Sequence, residues 1–414
     1  MRRFSSYREG FIATVAAGLD AQLAAVRAAI PSSAGEVASY IPTLSSADAS
    51  TFGAAVCSIQ GDYHSVGDDR LPFSIQSCVK PFTYLMACDE IGMEATHEYV
   101  GREPSGRSYN AFALSDSGNL PFNPMINAGA IAVCDLIEQG LSAEDRFARV
   151  HETIRAAATD GGRAFDDGAH FGFDDSVYKS ERATGFTNIA LAHFLRSHHD
   201  VSKAMTPAST PRDVEENLDL YFKACSLTVD VRAAATLAAT LASGGVSPFS
   251  GTRRFAQRHA ASAVQLMFSC GMYEASGAWA CKVGLPAKSG VAGCILIVVP
   301  NVLGIAVLAP PLDATGNSVR GAALIENIAE EFNLNVFSQL MLGNHDDIVG
   351  HLEEMHTLGS AFRPSSTARR VPTIHHHQRE EEEKHQEEEE EGRGAQRRGG
   401  IVRRDSMLGT PWKL

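Results

Sequence analysis

Long apolar runs are missing from this sequence. Its 414 residues are 44% hydrophobic, yet no uninterrupted apolar stretch approaches the roughly 18 residues needed to cross a bilayer. The beginning, MRRFSSYREGF, has no apolar secretory core, and Glu9 and Asp20 come too soon for the arginines and serines there to form a convincing organelle transit peptide. We therefore expect neither secretion nor membrane insertion, and an intracellular location in the cytoplasm rather than in a mitochondrion.

Positive charge and paired cysteines are also scarce. The 36 Lys and Arg against 49 Asp and Glu give a formal net charge of −13, which would repel phosphate backbones and anionic membranes, so nucleic acid is not an expected partner. The eight cysteines lie mostly inside apolar runs without C-x-x-C spacing, which is typical of reduced intracellular thiols. The HLEEMH stretch at 351–356 is not H-E-x-x-H. We expect no metal site and no cofactor.

Alternating strand-like and helix-like segments predict an α/β protein. Apolar residues at helical spacing predict a helix over residues 10–30, ending before Pro31. The stretch TFGAAVCSI at 51–59 and the one around 63–66 flank a predicted Gly61-Asp62 hairpin turn. Two branched apolar runs, GCILIVVP and LGIAVLAP, flank Asn301 at 293–310, and we expect all four segments to share one sheet.

The order of these segments predicts a sheet domain assembled from distant parts of the chain. The region between 80 and 280 is mainly helical in pattern, and its Ala-rich run VRAAATLAATLASGG ends at a glycine pair. We expect an N-terminal helical segment over 1–35, a sheet domain from about 36–80 and 280–345, and an inserted helical domain over about 81–279. The Pro-, Ser- and charge-rich residues 364–414, including the triplet His375 to His377, are expected to be a disordered tail.

One short motif carries a candidate nucleophile. Ser77-Cys78-Val79-Lys80 lies between strand-like PFSIQ and apolar PFTYLMAC, which is predicted to continue as a helix because proline is tolerated in a first turn. The i, i+3 spacing places Ser77 and Lys80 on one helix face. A hydroxyl attacks an amide slowly unless a base removes its proton, and a desolvated lysine can be that base. Ser77 is therefore the candidate nucleophile and Lys80 the candidate base.

A second S-x-x-K, from Ser176 to Lys179, shows that the motif alone is weak. This copy follows GFDD and lacks an apolar helix after it, so we expect an exposed loop there. The first copy is favoured because Lys288-Ser289-Gly290, just before the run GCILIVVP, has the K-[ST]-G form that accompanies S-x-x-K in β-lactamases and penicillin-binding proteins. A helix start at Ser77 also offers an N–H and the helix dipole to a developing oxyanion. The pair of motifs predicts a Ser-Lys acyl-transfer enzyme.

Six segments closely resemble the glutaminase family. They occur in the family's order, and Tyr40 in VASYIP and Tyr221 in LDLYFKACS match as well. The segments are QSCVKPF (76–82), GREPSG (101–106), NPMINAGAI (123–131), SERATGFTN (180–188), SCGMY (269–273) and GLPAKSGVAG (284–293). The resemblance implies a β-lactamase- and transpeptidase-like α/β fold, with a central antiparallel sheet flanked by helices, and hydrolysis of L-glutamine to L-glutamate and ammonia.

The same resemblance assigns roles to individual residues. It implies that Ser77 forms the acyl-enzyme, Lys80 activates it and Tyr273 shares in the proton transfers. The main chain of Ser77 and Val291 is expected to form the oxyanion hole, with Val291 also contacting substrate. Glu181 is the expected partner of the substrate ammonium, because a buried cation requires a counter-charge. The remaining polar shell is expected to comprise Tyr40, Gln76, Asn127, Asn188 and Tyr221. Without the motifs, these residues would be interpreted as having purely structural roles: the asparagines as helix caps, the tyrosines as core aromatics and Glu181 as a surface charge.

Two features differ from animal members of the family. Phe112-Ala113 stands where those enzymes carry a Leu-Phe pair that joins dimers into tetramers, so that contact is altered while a homodimer or homotetramer is still expected. We expect no ankyrin-type module after residue 340.

Two other functions compete with glutamine hydrolysis. One is a β-lactam-recognising or transpeptidase-type protein, disfavoured by the missing export signal and missing S-D-N motif, and the other is an inactive scaffold, disfavoured by the intact site.

Overall fold

A computed structural model of the protein describes residues 2–116, 118–165, 168–198 and 211–337. The chain divides into two units, Met1–Gly343 and Asn344–Leu414, and every described residue belongs to the first. The predicted disordered tail, its histidine triplet and the HLEEMH stretch lie outside the described residues. The predicted boundary between a sheet domain and a helical domain stays a prediction.

A five-stranded antiparallel sheet forms the centre of the fold, with strand order β2-β1-β8-β7-β6. Its strands are β1 (Gly53–Ser58), β2 (Tyr63–Gly67), β6 (Ala287–Gly290), β7 (Cys294–Val299) and β8 (Leu303–Leu308). The four segments predicted to share a sheet do so, and the turn at Gly61 has the positive φ (91°) that favours glycine. Lys288-Ser289-Gly290, expected just before a strand, lies within a strand of its own.

Both faces of this sheet are buried. Successive residues of a strand point to opposite faces, so Ala54 and Val56 of β1 pack in one apolar core while Ala55 and Cys57 pack in the other. Strands β1, β7 and β8 are therefore nearly continuous apolar runs, as expected where a sheet is covered on both sides. The edge strand β2 is partly exposed and is not such a run. Gly304 of β8 allows a helix to pack directly against the strand, because a Cβ at this position would lie only 2.2 Å from the main-chain nitrogen of Ala239 in that helix.

Helices cover the two faces. They are α1 (Arg2–Ala29), α2 (Lys80–Ile91), α3 (Met93–Thr96), α4 (Asn127–Asp135), α5 (Ala143–Thr159), α6 (Asp175–Thr184), α7 (Phe186–Ser197), α8 (Pro211–Cys225), α9 (Val231–Ala242), α10 (Gln257–Cys270), α11 (Ser276–Lys282) and α12 (Val319–Glu331). Helix α1 begins earlier than the predicted residue 10, and its Leu19 and Leu23 pack with Leu324 of α12 against the outer sheet face. Helix α9, the Ala-rich run, ends before its glycine pair as predicted.

A second, three-stranded sheet was not predicted. It has the order β3-β5-β4 and consists of β3 (Phe73–Ser74), β4 (Phe171–Phe173) and β5 (Leu227–Val229). Strands of two or three residues are too short to show a periodic pattern. This sheet positions the site because β3 leads directly into the turn that carries Ser77.

Candidate active site

The candidate nucleophile lies at the start of a buried helix. Gln76–Val79 form a 3-10 turn that runs into α2, and Pro81 fits the first turn of α2 because the N–H it lacks would have no acceptor there. Gln76 has a left-handed backbone conformation (φ 49°), which costs energy and is often found at functional sites. Ser77 is 8% exposed, and its N–H has no main-chain acceptor among the described residues. That N–H is therefore free to bind an oxyanion.

Lys80 is buried and partly deprotonated at neutral pH. Its Nζ donates to Oδ1 of Asn127 at 2.6 Å and to the carbonyl oxygen of Met125 at 3.4 Å. Burial and, second to it, the positive charge of Lys288 together lower the pKa of Lys80 to about 7, against the opposing effects of Cys225 and Glu181. A substantial fraction of Lys80 is therefore uncharged at neutral pH and has the lone pair that a base requires.

Tyr273 faces the candidate nucleophile. Its side chain interacts with that of Ser77, and its hydroxyl donates to the carbonyl oxygen of Ser289 at 2.9 Å. Burial raises the pKa of Tyr273 well above its ordinary value, so the phenol stays protonated. Its backbone is also left-handed (φ 54°). The structure therefore places a neutral phenol against the Ser77 hydroxyl, while Lys80 donates to Asn127 and Met125. Catalytic hydrogen bonds often tighten only when substrate is bound.

Strand β6 brings the second motif against the start of α2. A Cβ on Gly290 would lie 3.0 Å from the carbonyl oxygen of Ile75 and 3.1 Å from Sγ of Cys78, so only glycine allows this approach without a shift. Val291 follows directly, is 4% exposed and packs with Tyr273 in one small cluster. Its N–H has no main-chain acceptor in the described part of the chain. The two predicted oxyanion donors therefore belong to elements in contact with each other.

Two asparagines extend the polar chain that begins at Lys80. Asn127, the first residue of α4, receives the hydrogen bond from Lys80 and donates through Nδ2 to Oδ1 of Asn188 on α7 at 2.8 Å. Both side chains are buried. Neither residue is the N-cap of its helix, so the alternative role as helix caps is wrong.

Glu181 is a buried carboxylate with a free oxygen. It lies on α6, is 4% exposed and interacts with the side chain of Gln76. Its Oε2 has no hydrogen-bond partner within the described residues. Burial raises the pKa of Glu181 to about 8, against the opposing effects of Lys80 and Gln76. Since an unpaired buried carboxylate is costly, this oxygen is suited to a cationic ligand.

Aromatic side chains complete the surroundings of these groups. Tyr221 is buried on α8, and the Nζ of Lys80 lies 6.0 Å from the centre of its ring. Tyr40 is 52% exposed, yet its hydroxyl end is desolvated and interacts with Tyr109, which raises its pKa well above the ordinary value. Tyr40 therefore has an exposed ring and a buried hydroxyl that faces Glu181.

The predicted site residues form one connected group. Ser77 contacts Tyr273, Tyr273 packs with Val291, Lys80 donates a hydrogen bond to Asn127, and the remaining residues join through the contacts described for each.

Three side chains near the site were given no role from the sequence: Lys288, Tyr109 and Cys225. The K-[ST]-G motif was the signal for Lys288, whereas the sequence offers no comparable signal for Tyr109, whose ring centre lies 4.7 Å from that of Tyr273. Cys225, buried beside Tyr221 and Glu181, lies in an apolar helix like many core cysteines.

The decoy motif differs from its predicted structure. Ser176 and Lys179 lie in helix α6, not in a loop, although both are exposed as expected. Asp174 caps this helix by accepting from the N–H groups of Ser176 and Val177 at 2.8 and 3.1 Å, and Lys179 pairs with Asp175 one turn away. The helix is polar because only a narrow face is buried, and it is the helix that carries Glu181.

Comparison with known proteins relates the chain to one family. A family model described as Glutaminase matches residues 35–337. Putative glutaminase 3 of Caenorhabditis elegans is 42% identical over 76% of this chain and 51% of the relative, and the rat liver isoform, named mitochondrial, is 40% identical over 74% and 48%. A Nostoc glutaminase is 40% identical over 77% of this chain and 90% of its own. The chain spans about half the length of the first of these curated relatives.

Solved structures agree with that relation. A structure described as a probable glutaminase is 34% identical with a TM-score of 0.69, covering 78% of this chain and 99% of that one. A structure of Mglu in its glutamate form is 37% identical with a TM-score of 0.69, covering 79% and 70%. The antiparallel sheet between helical layers is thus a β-lactamase-like fold, the class that the resemblance to glutaminases implied. The chain belongs to the glutaminase family.

No helix in the described ranges is long and apolar enough to cross a bilayer. Those ranges also contain no group of three or more His, Cys, Asp or Glu side chains arranged to hold a metal ion.

Proposed function

We propose that this protein hydrolyses L-glutamine to L-glutamate and ammonia through an acyl-enzyme on Ser77. The observation that carries the proposal is the buried, unpaired oxygen of Glu181, whose side chain interacts with Lys80 and with Gln76, the residue before Ser77. The serine group accounts for amide chemistry, and the carboxylate accounts for a substrate with an ammonium group. The family membership and the glutamate form of a related structure support the same substrate.

The acylation step uses the neutral form of Lys80. Lys80 takes the proton of the Ser77 hydroxyl as the oxygen attacks the side-chain amide carbon of glutamine. The N–H groups of Ser77 and Val291 stabilise the oxyanion, a contribution typically of several kcal/mol. Tyr273 gives its proton to the leaving nitrogen and regains one from protonated Lys80. The C–N bond breaks, ammonia leaves, and a γ-glutamyl ester remains on Ser77.

Hydrolysis of the ester repeats these steps with water. Lys80 accepts a proton from the attacking water, the oxyanion forms again between the same two N–H groups, and the Ser77 oxygen leaves with the proton returned through Tyr273. The free carboxylic acid is glutamate, and the net change consumes one water. Both half-reactions need Lys80 uncharged at the start, which burial promotes.

Substrate recognition follows from the charges that line the site. The α-ammonium pairs with Glu181, and the amide groups of Asn127 and Asn188 with the hydroxyl of Tyr221 supply hydrogen bonds for the α-carboxylate. Gln76 orients Glu181 through its side-chain contact. Tyr40 closes the outer side of the site with its exposed ring. Each of these contacts replaces a hydrogen bond that the substrate loses with its hydration shell.

Cellular location and assembly are further parts of the proposal. All eight cysteines are free thiols and seven of them are buried, which supports an intracellular, reducing compartment. We place the protein in the cytoplasm rather than in a mitochondrion. A homodimer or homotetramer is the proposed assembly, with the exposed Phe112 (51%) replacing the animal contact.

Incubation of the purified full chain with L-glutamine and, separately, with a chromogenic β-lactam tests the proposal. Release of glutamate and ammonia in equal amounts, without β-lactam cleavage, is expected. Cleavage of the β-lactam alone would favour a penicillin-recognising enzyme, and no reaction with either compound would favour an inactive scaffold. Both of the last two results would overturn the proposal.

A further inference from the structure

A second lysine lies in the site without a role in the steps above. Lys288 of β6 is fully buried, and its Nζ donates to the carbonyl oxygens of Ser289 at 2.8 Å and Gly271 at 3.3 Å. The Nζ also lies 4.4 Å from the centre of the Tyr273 ring. It forms no ion pair within the described residues. The titratable groups that face it are four thiols, one phenol and the other lysine: Cys78, Cys225, Cys270, Cys294, Tyr273 and Lys80.

An ammonium group without a counter-ion is an expensive thing to bury. A methionine of similar length would fill the same space without that cost. Burial lowers the pKa of Lys288 to about 8, so Lys288 is still mostly protonated, and therefore positively charged, at pH 7. A buried positive charge in this place acts on its surroundings, which include two groups of the proposed reaction, Tyr273 and Lys80.

Tyr273 is tied to Lys288 by geometry. The two side chains donate to the same acceptor, the carbonyl oxygen of Ser289. Lys288 also binds the carbonyl oxygen of Gly271, which lies two residues before Tyr273. Because Tyr273 has a left-handed backbone (φ 54°), the turn that carries it needs outside support. The Lys288 ammonium ties that turn to β6.

Lys80 and Lys288 lie on elements in direct contact, because Sγ of Cys78, two residues before Lys80, donates to the carbonyl oxygen of Lys288 at 3.2 Å. The groups around Lys80 are Lys288, Glu181 and the thiols of Cys78, Cys134 and Cys225. Burial is the largest cause of the lowered pKa of Lys80, and repulsion by Lys288 is the second. Glu181 and the thiols act in the opposite direction. Glu181 is itself mostly protonated near pH 7, so Lys288 is the main charged neighbour of Lys80 there.

From these contacts we propose that Lys288 is a positioning residue with two effects, keeping Lys80 uncharged by repulsion and holding the turn of Tyr273 against β6. This inference rests on the proposed hydrolysis of glutamine by Ser77 and Lys80. It separates the roles of the two lysines: Lys80 accepts protons, whereas Lys288 keeps its own and never exchanges one with substrate.

The test compares Lys288→Met, which removes the charge, with Lys288→Arg, which keeps it. The primary measurement is an NMR titration of the protein with labelled lysine side chains, in which the Lys80 signal is assigned through Lys80→Arg. Without the neighbouring charge, Lys80 should titrate about 1 pH unit higher in Lys288→Met, since nearby like charges shift a pKa by roughly 1–3 units. In Lys288→Arg the titration should stay at its wild-type position.

Enzyme kinetics supply the second measurement. The pH dependence of kcat reports groups of the enzyme–substrate complex, in which Glu181 is already paired. Its rising limb should move upward with the Lys80 titration in Lys288→Met, and the plateau should also fall because Tyr273 is less well held. Lys282→Met is the matched control, because Lys282 is an exposed lysine of α11 paired with Glu326; its limb and plateau should equal those of the wild type.

The outcomes separate this inference from the proposed function. An unchanged Lys80 titration in Lys288→Met would overturn the repulsion, as would equal shifts in the Met and Arg variants. Lys288→Gln, a second neutral variant that keeps a donor for the carbonyls, replaces Lys288→Met if the latter melts below assay temperature. If the wild type leaves glutamine intact, the proposed function fails, while the NMR titration still decides whether Lys288 controls the charge of Lys80.

Discussion

Replacing Glu181 by glutamine removes the charge proposed to read the substrate and changes little else. Gln has the size of Glu and one of its hydrogen-bond acceptors, and water screens the charge of Glu181 little because this side chain is 4% exposed. The free Oε2 is the atom proposed to meet the α-ammonium. We therefore expect a loss in kcat/KM for glutamine with little loss of stability.

The size of the loss follows from two opposing contributions. A buried, charge-assisted contact is worth ~2–5 kcal/mol when one partner is removed. Because burial raises the pKa of Glu181 to about 8, ionising it for substrate at pH 7 costs about 1.4 kcal/mol. The net loss is then ~0.6–3.6 kcal/mol, or about 3-fold to 400-fold in kcat/KM.

The same reasoning predicts a pH dependence of that loss. The ionised fraction of Glu181 rises about fivefold between pH 7 and pH 8 for a pKa near 8. The ratio of wild-type to Glu181→Gln kcat/KM should therefore rise between these pH values, because only the wild type has this carboxyl group to ionise. An ammonia-release assay at the two pH values gives this ratio directly.

An analogue of glutamine without the α-amino group is the control. It offers no cation to Glu181, so wild type and Glu181→Gln should process it at similar, low rates. The two enzymes and two substrates form a double-mutant cycle. Equal losses for both substrates would refute the reasoning, because Glu181 would then support the fold instead of reading the ammonium.

Three further predictions concern the base, the outer core and the tail. Wild-type kcat should rise with pH through about 7 as Lys80 loses its proton, and Lys80→Arg, charged throughout, should show low activity without that rise; equal profiles would contradict Lys80 as base. Leu19→Ala, at a fully buried position between α1 and the sheet, should lower the free energy of unfolding by ~2–5 kcal/mol in a denaturant titration, whereas Leu141→Ala, 45% exposed, should change it by about 0.5 kcal/mol or less. Deletion of residues 364–414 should leave kcat within about twofold, since the family match ends at residue 337, and a large loss would show that the tail contributes to the site.

The central sheet could be predicted because three of its strands, β1, β7 and β8, are buried on both faces. The runs at 51–59 and 293–310 are apolar at nearly every position, and a Gly-Asp turn separates the first pair of strands. Short elements gave no such signal. β4 and β5 have three residues each, so their pairing depends on tertiary contacts that no local pattern records.

Helix α6 shows where periodicity misleads. Its buried positions are few, Val177 and Glu181, so the segment has no apolar stripe and was interpreted as a loop. The sequence did contain a signal in Asp174 at the N-cap position. A search for capping residues rather than for apolar spacing would have found this helix and the position of Glu181 within it.

The site residues could be assigned from motifs, but their electrostatics could not. Sequence spacing placed Ser77 and Lys80 together, and the Lys-Ser-Gly motif indicated a neighbouring strand. The charge state of Lys80 depends on burial and on Lys288, which is more than 200 residues away along the chain. Only the folded structure brings residues so far apart in sequence close together, and the same holds for the contact between Tyr273 and Ser77.

The central claim is that Ser77 carries the γ-glutamyl group, and one measurement tests it most directly. Wild type and Ser77→Ala are mixed with L-glutamine, ammonia release is followed, and the quenched proteins are examined by intact mass spectrometry. The account predicts ammonia release and a glutamyl adduct on wild type, and for Ser77→Ala no adduct and activity below about 1% of wild type. Ammonia release by Ser77→Ala at a rate near that of wild type would contradict the account.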